Sequence, residues 1–371
     1  MKYRVIELIS TLGDGGAEAL VKDYAIMLNK LNVQTDILTM YKVTGSSNMA
    51  QAQKAGVCVE SIFPGHTRTI RLIKQTLGVF FIPLLLLRII KCRNITCLHV
   101  HMNQLHHVAP IMRFIKGVNV LYTCHNDPDK YFRGISGRME FNAVKKLVGY
   151  KNFTLIALHD TMAEELEKMF ATNKIEVIRN GVDFNKYKGL GITRVDKRRE
   201  LGIDNNAFVV GHVGRFSPQK NHSFLVDVFA DIANKNDKAF LLLVGSGQLE
   251  NEMIEKLHKL NLDGRYKILS HRTDIPELLN IMDVYLFPSL YEGLPVSLVE
   301  AQVSKLHCVV SDKINEAAFL LPSTTVLSLN DPITEWSNEC LKKYEKIEWN
   351  DKLLGYDMNR EILRLKKMMI G

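Results

Sequence analysis

The stretch PSLYEGLPVSLVEA, residues 288–301, decides the fold of this 371-residue chain. The apolar run before it, at 284–288, predicts a buried strand, and the apolar spacing at 297–303 predicts a helix. Pro295 suits the first turn of that helix, and the glycine and prolines between the two elements predict a tight loop. Strand, loop and helix in this order make up half of a βαβ unit, so the stretch predicts a parallel α/β sheet.

The same alternation of strands and helices extends through the chain in two series. In the first series the patterns predict strands at 3–9, 35–40, 97–101, 118–124 and 154–157, with helices at 17–31, 70–90 and 160–170. In the second they predict strands at 207–213, 240–244, 266–269, 284–288 and 307–311, with helices at 223–233, 249–260, 274–282 and 297–303. The fold class is therefore α/β, with a parallel sheet in each series.

A polar stretch rich in Lys, Arg and Gly separates the two series and predicts an inter-domain linker at 187–204. We expect a first Rossmann-like domain at 1–186 and a second at 205–350, the two facing across a cleft. The amphipathic helix predicted at 351–371 would return to the first domain. Ligands of such doubly wound sheets bind at the carboxyl ends of the strands.

Composition excludes several classes of protein. With 46% apolar residues the chain is too hydrophobic to be disordered. Its six cysteines form no C-x-x-C pair, which argues against a zinc ribbon or a secreted disulfide framework. The chain starts without the features of a signal peptide, and its most apolar run, 75–87, is too short to span a bilayer. We expect a cytoplasmic protein, with a peripheral position on the inner face of the membrane as a further expectation.

The net charge of +8 is concentrated in the first half of the chain. Residues 61–126 contain eight basic residues and no acidic residue, which favours an anionic partner. Because this stretch includes a predicted helix with basic ends, we expect contact with an anionic membrane through residues 68–93. The alternative is a core helix of the first domain. A nucleic-acid partner is not expected, because no aromatic stacking motif accompanies the charge.

Three loops that follow predicted strands carry the candidate site residues. Gly13-Asp14-Gly15-Gly16 precedes a helix, where backbone N–H groups can approach a phosphate, although a plain tight turn has the same pattern. In the stretch 211–222, Arg215 and Lys220 can neutralise a diphosphate, or be ordinary solvated loop charges. In the opening stretch, Glu292 can hold sugar hydroxyls and Glu300 a ribose diol, two helical turns further on.

Together these residues resemble the retaining glycosyltransferases of family 4, which have the two-domain GT-B fold. The resemblance covers nearly the whole chain and is most specific in four places: Asn180-Gly181-Val182-Asp183, Gly214-Arg215 with Lys220-Asn221, Val244-Gly245-Ser246-Gly247, and the stretch from Glu292 to Glu300. It is closest to enzymes of bacterial capsule and exopolysaccharide assembly. The chain departs from the family pattern at Lys313-Ile314-Asn315-Glu316-Ala317, where a Gly-rich turn and a Pro-Glu pair are usual.

The resemblance implies a role for each candidate. Gly15 and Gly16 would close over the donor diphosphate, with Arg215 and Lys220 neutralising it. Glu300 would bind the ribose, and Arg272 would border the base. Glu292, with the backbone of Gly293 and Leu294, would hold the donor sugar, and His125 would lie near the reacting carbon. We take His125 and Glu292 as the catalytic candidates. No metal or other cofactor is expected, because two cations and helix dipoles can stabilise the leaving diphosphate.

Further histidines and one cysteine lie near these motifs. His99, His101, His106 and His107 match no zinc template, so a structural or acceptor-lining role is favoured over a metal site. Cys124 has no base paired with it in the sequence and is interpreted as an inert thiol.

The expected function is transfer of a hexosyl unit from a nucleotide-diphosphate sugar, with UDP the expected nucleotide, to a lipid-linked saccharide acceptor. We expect retention at the anomeric carbon, in bacterial cell-surface polysaccharide biosynthesis. The alternatives are a nucleotide-sugar hydrolase or epimerase of the same fold, and a basic nucleic-acid-binding module.

Overall fold

The computed structural model describes residues 3–65, 78–292, 294–345 and 347–371. The chain divides into two compact units, the first formed by Met1–Asn180 with Arg360–Gly371 and the second by Gly181–Asn359. Residues 187–204, for which the sequence predicts a linker, lie in the second unit and contain the helix Arg194–Leu201. The last helix, Met358–Ile370, lies mostly in the first unit.

The described residues of the first unit form a seven-stranded sheet in which all neighbouring strands are parallel. Its strands are β1 (Arg4–Ile9), β2 (Gln34–Tyr41), β3 (Val59–Phe63), β4 (Cys97–His101), β5 (Asn119–Thr123), β6 (Phe153–Ala157) and β7 (Ile175–Val177). Their order in the sheet is β3-β2-β1-β4-β5-β6-β7.

Helices cover both faces of this sheet. They span Gly16–Lys30, Ser47–Lys54, Gly78–Cys92, Leu105–Val108, Pro128–Tyr131, Gly134–Leu147, Asp160–Phe170 and Met358–Ile370, with a 3₁₀ helix at Ala109–Phe114. Alternation along the strands builds two cores. Leu8 packs into the larger core, whereas Ile9 packs into a smaller one on the other face.

The described residues of the second unit form a six-stranded parallel sheet. Its strands are β8 (Phe208–Val213), β9 (Ala239–Val244), β10 (Tyr266–Leu269), β11 (Val284–Phe287), β12 (His307–Ser311) and β13 (Thr324–Leu327). Their order is β10-β9-β8-β11-β12-β13. Val209 and Val210 face different cores, so this sheet is also buried on both sides.

The helices of the second unit span Arg194–Leu201, His222–Lys235, Glu250–Lys259, Ile275–Asn280, Val296–Val303, Ile333–Leu341 and Asp351–Leu354. Short 3₁₀ helices lie at Phe184–Tyr187, Pro218–Lys220 and Glu316–Ala318. The helix Val296–Val303 begins directly after Pro295, as the opening stretch of sequence predicts.

Each sheet has a point at which the strand order reverses, between β1 and β4 in the first and between β8 and β11 in the second. Ligand sites of doubly wound sheets lie outside the carboxyl ends of the strands at such a point. The glycine loop at 13–16 follows β1, the Arg215 loop follows β8, and the Glu292 loop follows β11. The predicted motifs therefore lie at the switch points.

The prediction of two doubly wound parallel α/β sheets is confirmed. The helix predicted at 70–90 is Gly78–Cys92 within the described residues, and positions 70–77 lie outside them. Among the helices of the described ranges, none combines the length and the apolar content required to cross a bilayer.

Candidate active site

The loops after β8 and β11 bring two predicted site residues into contact. Lys220 ends the 3₁₀ helix Pro218–Lys220, and its Nζ lies 2.7 Å from Oε1 of Glu292. Both side chains are largely buried, with 14% and 8% of their surfaces exposed. The ammonium group also lies 4.5 Å from the centroid of the Phe287 ring, in cation–π geometry. The switch point of the second sheet therefore holds a fixed cation beside a fixed carboxylate.

Two glycines allow the backbone to pack closely around this pair. A Cβ on Gly214 would lie 2.7 Å from Nε2 of His212 and 3.2 Å from Cε of Lys220. A Cβ on Gly245 would lie 2.0 Å from the carbonyl oxygen of Gly214. Any larger residue at either position would push the loop after β8 away from its place, and Lys220 with it.

The helix Val296–Val303 presents Glu300 one turn from its end. Its Oε1 accepts a hydrogen bond of 2.8 Å from the hydroxyl of Tyr187, which lies in the 3₁₀ helix Phe184–Tyr187. This contact fixes the rotamer of a partly exposed carboxylate whose chemistry suits a pair of adjacent hydroxyls. Tyr187 therefore positions Glu300.

The loop between Glu292 and this helix has a buried anchor. The Leu294 side chain is buried in the core of the second unit, so this residue can offer a ligand its backbone. Gly293, which the resemblance assigns to the donor sugar, lies outside the described residues. Glu292 itself forms a parallel bridge with Ile314, in the loop where the sequence departs from the family pattern. The backbone of this loop is thus paired with the backbone of Glu292.

The two predicted arginines have different surroundings. Arg215 is exposed, and among the residues described in 3–65, 78–292, 294–345 and 347–371 it has no ion-pair partner. Arg272 is instead held by Asp274, to which its Nε donates a 2.7 Å hydrogen bond, and Lys197 Nζ lies 2.5 Å from the same carboxylate. Although burial opposes the shift, these bonds lower the pKa of Asp274 to about 2. A role for Arg272 at the base therefore involves its exposed edge or its stem.

In the first unit, Gly15 and Gly16 form the N-terminus of the helix Gly16–Lys30. A Cβ on Gly16 would meet nothing within 4 Å, so the backbone there is open to a ligand. Asp14 fixes the loop, because its Oδ1 accepts hydrogen bonds of 2.9 Å from the backbone N–H of Ser47 and 2.8 Å from its hydroxyl. The predicted contact of Gly15 and Gly16 with a phosphate requires such an open helix N-terminus, and it stays a prediction.

His125 lies two residues after the end of β5. Burial, followed by the neighbouring histidines His101 and His99, lowers its pKa well below the ordinary value, so the ring is uncharged. The adjacent Cys124 is fully buried, and burial raises the pKa of its thiol to about 12. Such a thiol is not a nucleophile near neutral pH, in keeping with its interpretation as inert.

Comparison with known proteins identifies the chain. Residues 14–186 match the family model described as Glycosyltransferase Family 4, and residues 193–321 match the model described as Glycosyl transferases group 1. The chain belongs to the family 4 glycosyltransferases. This family membership confirms the resemblance seen in the sequence.

Relatives of this glycosyltransferase match it over much of its length. It is 28% identical to EpsF of Bacillus subtilis, which is assigned as a glycosyltransferase, over 97% of this chain and 94% of that protein. It is 31% identical to a UDP-Gal:alpha-D-GlcNAc-diphosphoundecaprenol alpha-1,3-galactosyltransferase of Escherichia coli, over 67% of this chain and 65% of that protein. The crystal structure of Anabaena HepE with UDP and glucose superposes with a TM-score of 0.73 at 19% identity, covering 99% of this chain and 95% of that one. The fold is therefore GT-B.

Sequence reasoning missed two residues that support the candidate site of this glycosyltransferase. Tyr187 lies in the predicted linker, and no motif indicates that its hydroxyl reaches Glu300. Glu7 lies in the middle of β1, and its side chain is fully buried. A carboxylate inside an apolar strand was the available signal, because buried carboxylates require partners.

The side chains next to Glu7 are those of His99 and His101, which alternate with Val100 along β4. Nδ1 of His99 lies 2.9 Å from Oε2 of Glu7, and Nε2 of His101 lies 2.6 Å from the same oxygen. The side-chain donor atoms of this trio lie within 4.8 Å of one another, so they could surround one metal ion. His106 belongs to a separate pair with Glu140, and His107 is buried beside it.

Proposed function

We propose that this glycosyltransferase moves a hexosyl unit from a UDP-sugar to a lipid-linked saccharide in the biosynthesis of a bacterial surface polysaccharide. The observation that carries the proposal is the arrangement at the β8–β11 switch point. There Lys220 and Glu292 are paired at 2.7 Å, and Glu300 is fixed by Tyr187 on the helix that follows. The Escherichia coli relative, whose name gives a UDP-Gal donor and a diphosphoundecaprenol-linked acceptor, supports both substrate classes.

The chemistry asked of these residues is stabilisation of a leaving diphosphate. The bond between the anomeric carbon and the diphosphate oxygen breaks as the acceptor hydroxyl forms a new bond to that carbon, and UDP leaves with the negative charge. Lys220 and Arg215 offer N–H donors to that charge, Lys220 as a point charge and Arg215 as a fork. Because these cations can do the work of a metal ion on the diphosphate, we propose a metal-independent reaction.

Glu292 and Glu300 divide the remaining recognition between them. Glu300 accepts hydrogen bonds from the ribose hydroxyls, and Glu292 accepts them from the sugar hydroxyls. We further propose retention by front-side displacement, in which the leaving phosphate accepts the proton of the acceptor hydroxyl. Retention is supported by the family resemblance of the sequence, and it is tested by the anomeric configuration of the product.

A lipid-linked acceptor would be reached at a membrane, and the helix Gly78–Cys92 has an exposed face suited to one. Ile82, Leu86 and Ile90 bury one face of this helix in the core, while Phe80 and Leu84 are 75% and 66% exposed on the opposite face. Exposed basic residues, Arg88 and Lys91, continue that face. We propose that it contacts an anionic membrane, each basic residue near the surface adding about 1 kcal/mol. Of the segment predicted from the sequence, 68–93, positions 68–77 lie outside the described residues.

The test is binding and turnover with a panel of nucleotides and UDP-sugars. Calorimetry of the wild type is expected to show micromolar binding of UDP in the presence of EDTA. Because each variant removes a hydrogen bond to a charged group, Glu300→Ala and Lys220→Ala should each weaken binding about 10- to 100-fold. Lys256→Ala, which removes a lysine paired with Asp227 in the same unit, is the control and should bind as the wild type does.

Transfer is then measured with an undecaprenyl-diphosphate-linked sugar as acceptor. The proposal expects a glycosylated lipid in the presence of EDTA, with the anomeric configuration of the donor. Release of free sugar at the same rate with and without acceptor would instead identify a hydrolase. Binding of UDP that survives both Glu300→Ala and Lys220→Ala would refute the donor site.

A further inference from the structure

A hydrogen-bonded chain of three side chains crosses the first sheet from β1 to the end of β5. Oε2 of Glu7 lies 2.6 Å from Nε2 of His101, and Nδ1 of His101 lies 2.8 Å from Nε2 of His125. Glu7 and His101 are fully buried, and they sit on the strands β1 and β4 that flank the switch point of this sheet. The chain ends at His125, the catalytic candidate of this unit.

The polarity of this chain follows from its first member. An ionised carboxylate can only accept hydrogen bonds, so the proton between Glu7 and His101 is carried by Nε2 of His101. A neutral His101 then has its lone pair on Nδ1 and accepts from Nε2–H of His125. A neutral His125 therefore has its own lone pair on Nδ1.

The opposite tautomer of His125 would require a doubly protonated His101. In that tautomer the lone pair of His125 lies on Nε2, so Nδ1 of His101 would have to donate to it. His101 would then donate from Nδ1 to His125 and from Nε2 to Glu7 at once. Burial, followed by the charge on His99, lowers the pKa of His101 to about 4 and outweighs the opposing effect of Glu7. A charged His101 is thus disfavoured near neutral pH, and one tautomer of His125 remains.

Nδ1 of His125 has a hydrogen-bond requirement that the protein does not meet. It is buried, and among the described residues no atom donates to it. A buried acceptor without a donor costs about 1–3 kcal/mol. A hydroxyl donor supplied by a bound sugar would remove that cost, so the site is complementary to a hydroxyl and not to an acceptor.

We propose that Glu7 and His101 are positioning residues that fix His125 in its Nε2–H tautomer, so that Nδ1 accepts a hydrogen bond from a substrate hydroxyl. The proposal rests on the proposed glycosyl transfer for the identity of the substrate. It extends the function to two residues that touch neither donor nor acceptor but set the direction of the hydrogen bond that His125 offers.

Oε2 of Glu7 accepts the hydrogen bond from His101, whereas Oε1 has no hydrogen-bond partner among the described residues. Nδ1 of His99 lies 2.9 Å from the same Oε2 without hydrogen-bond geometry, and the hydrogen bond of this ring is made by its Nε2, 2.8 Å from Oγ1 of Thr123 on β5. Tyr24, from the helix Gly16–Lys30, stacks on His99. Two ligands of one tetrahedral zinc ion, each about 2.0–2.2 Å from the metal, lie more than 3 Å apart. The 2.6 Å separation between Glu7 and His101 is that of a direct hydrogen bond and is too short for two ligands of one metal ion, which favours the relay over a metal centre.

The tautomer can be read directly by NMR of the full-length protein with ¹⁵N-labelled histidine rings, and no substrate is needed. The His125 signals are assigned by their loss in His125→Asn. Wild type should show a single neutral Nε2–H tautomer at His125. His101→Asn, which places an amide oxygen near the position of Nδ1, should keep that tautomer, whereas His101→Leu and Glu7→Gln should give a mixture of the two.

Turnover supplies the second measurement. Glu7→Gln and His101→Leu should lower kcat at least about tenfold, with KM for the UDP-sugar within about threefold of wild type because the proposed donor residues are untouched. His101→Asn should keep most of the activity. Thr123→Val is the matched control, since it removes a hydrogen bond from the same buried cluster without touching Glu7, His101 or His125, and it should change neither kcat nor the tautomer.

Three results would overturn the inference. The first is an Nδ1–H tautomer at His125 in the wild type. The second is an unchanged Nε2–H tautomer at His125 in both Glu7→Gln and His101→Leu, with His101→Leu shown to be folded. The third is stoichiometric zinc in the purified wild type that is lost in Glu7→Gln, which would identify the trio as a metal site. If no sugar is transferred but the tautomer responds as expected, the proposed function fails and the relay remains.

Discussion

At the scale of single residues, His222 is a titratable group held without charge inside the second unit. Its ring stacks on Phe216 at a centroid distance of 4.3 Å and meets His212 edge-on at 4.8 Å. Among the described residues neither ring nitrogen has a hydrogen-bond partner. Burial, followed by the charge of Lys220, lowers the pKa of His222 to about 4 from an ordinary value of about 6.5.

This shift predicts a loss of stability in mild acid. Between pH 6.5 and 4 the unfolded chain binds a proton at this position that the folded chain does not, so the contribution is complete above pH 6.5 and is lost as the pH falls. His222→Phe keeps an aromatic ring but cannot titrate. We expect it to raise the thermal midpoint at about pH 5 and to flatten the pH dependence of unfolding of the second unit.

Differential scanning calorimetry from about pH 4.5 to about pH 7.5 measures this effect, since the range spans the titration of an ordinary histidine. His258→Phe is the control, because His258 lies in the same unit and is 77% exposed, and its contact with Asp263, also an exposed surface residue, contributes little to stability. It should leave the pH dependence as it is in the wild type. An equal slope for wild type and His222→Phe would contradict the prediction.

Candidate site residues can be predicted from the sequence where they belong to one continuous motif. The sequence alone points to Lys220, Glu292 and Glu300, because glycine and proline mark the loops that carry them. It does not point to Glu7, because its partners, His99 and His101, are more than 90 positions away along the chain and meet it only through the pairing of β1 with β4. Contacts made across a sheet leave no local signal in a single sequence.

At the scale of secondary-structure elements, the helix Gly78–Cys92 carries the prediction of membrane contact. We expect Phe80→Ser together with Leu84→Ser to weaken binding to vesicles of anionic lipid at least about tenfold, since each buried CH₂ contributes about 0.8 kcal/mol. Co-sedimentation with vesicles measures it. The matched control is Val195→Ser together with Ile254→Ser, at residues that are 46% and 37% exposed in the second unit. It should bind vesicles as the wild type does. Equal binding of both double variants would exclude this face.

Elements are predictable where they are buried on both faces. The strands that sequence patterns miss are β3, β7 and β13, which lie at the edges of the two sheets. Their residues are mostly half-exposed, so neither a continuous apolar run nor a strict alternation marks them. The central strands β8, β9, β11 and β12 are apolar runs in the sequence, and the prediction of each is confirmed. An edge position does not by itself hide a strand, because β10 is also a half-exposed edge strand and its prediction at 266–269 is confirmed.

At the scale of the whole molecule, the first unit is built from both ends of the chain. The helix Met358–Ile370 buries Leu365 completely, and Met369 contributes its carbonyl oxygen to Asn119, 250 positions earlier. The backbone N–H of Arg179 donates to Glu361 of the same helix at 2.9 Å. The first unit therefore has its complete core when residues 360–371 are present.

Leu365→Ala tests whether this helix stabilises the first unit. Truncating a fully buried leucine should lower the free energy of unfolding by about 2–5 kcal/mol. Leu363→Ala, two residues earlier in the same helix, is the matched control, because Leu363 is 55% exposed and its truncation should cost less than about 0.5 kcal/mol. Hydrogen exchange should show the loss of protection in β1, β4 and β5 and unchanged protection in β8 and β11. Loss of protection in β8 and β11 with β1 unaffected would mean that the helix supports the second unit, against the division at Asn359 and Arg360.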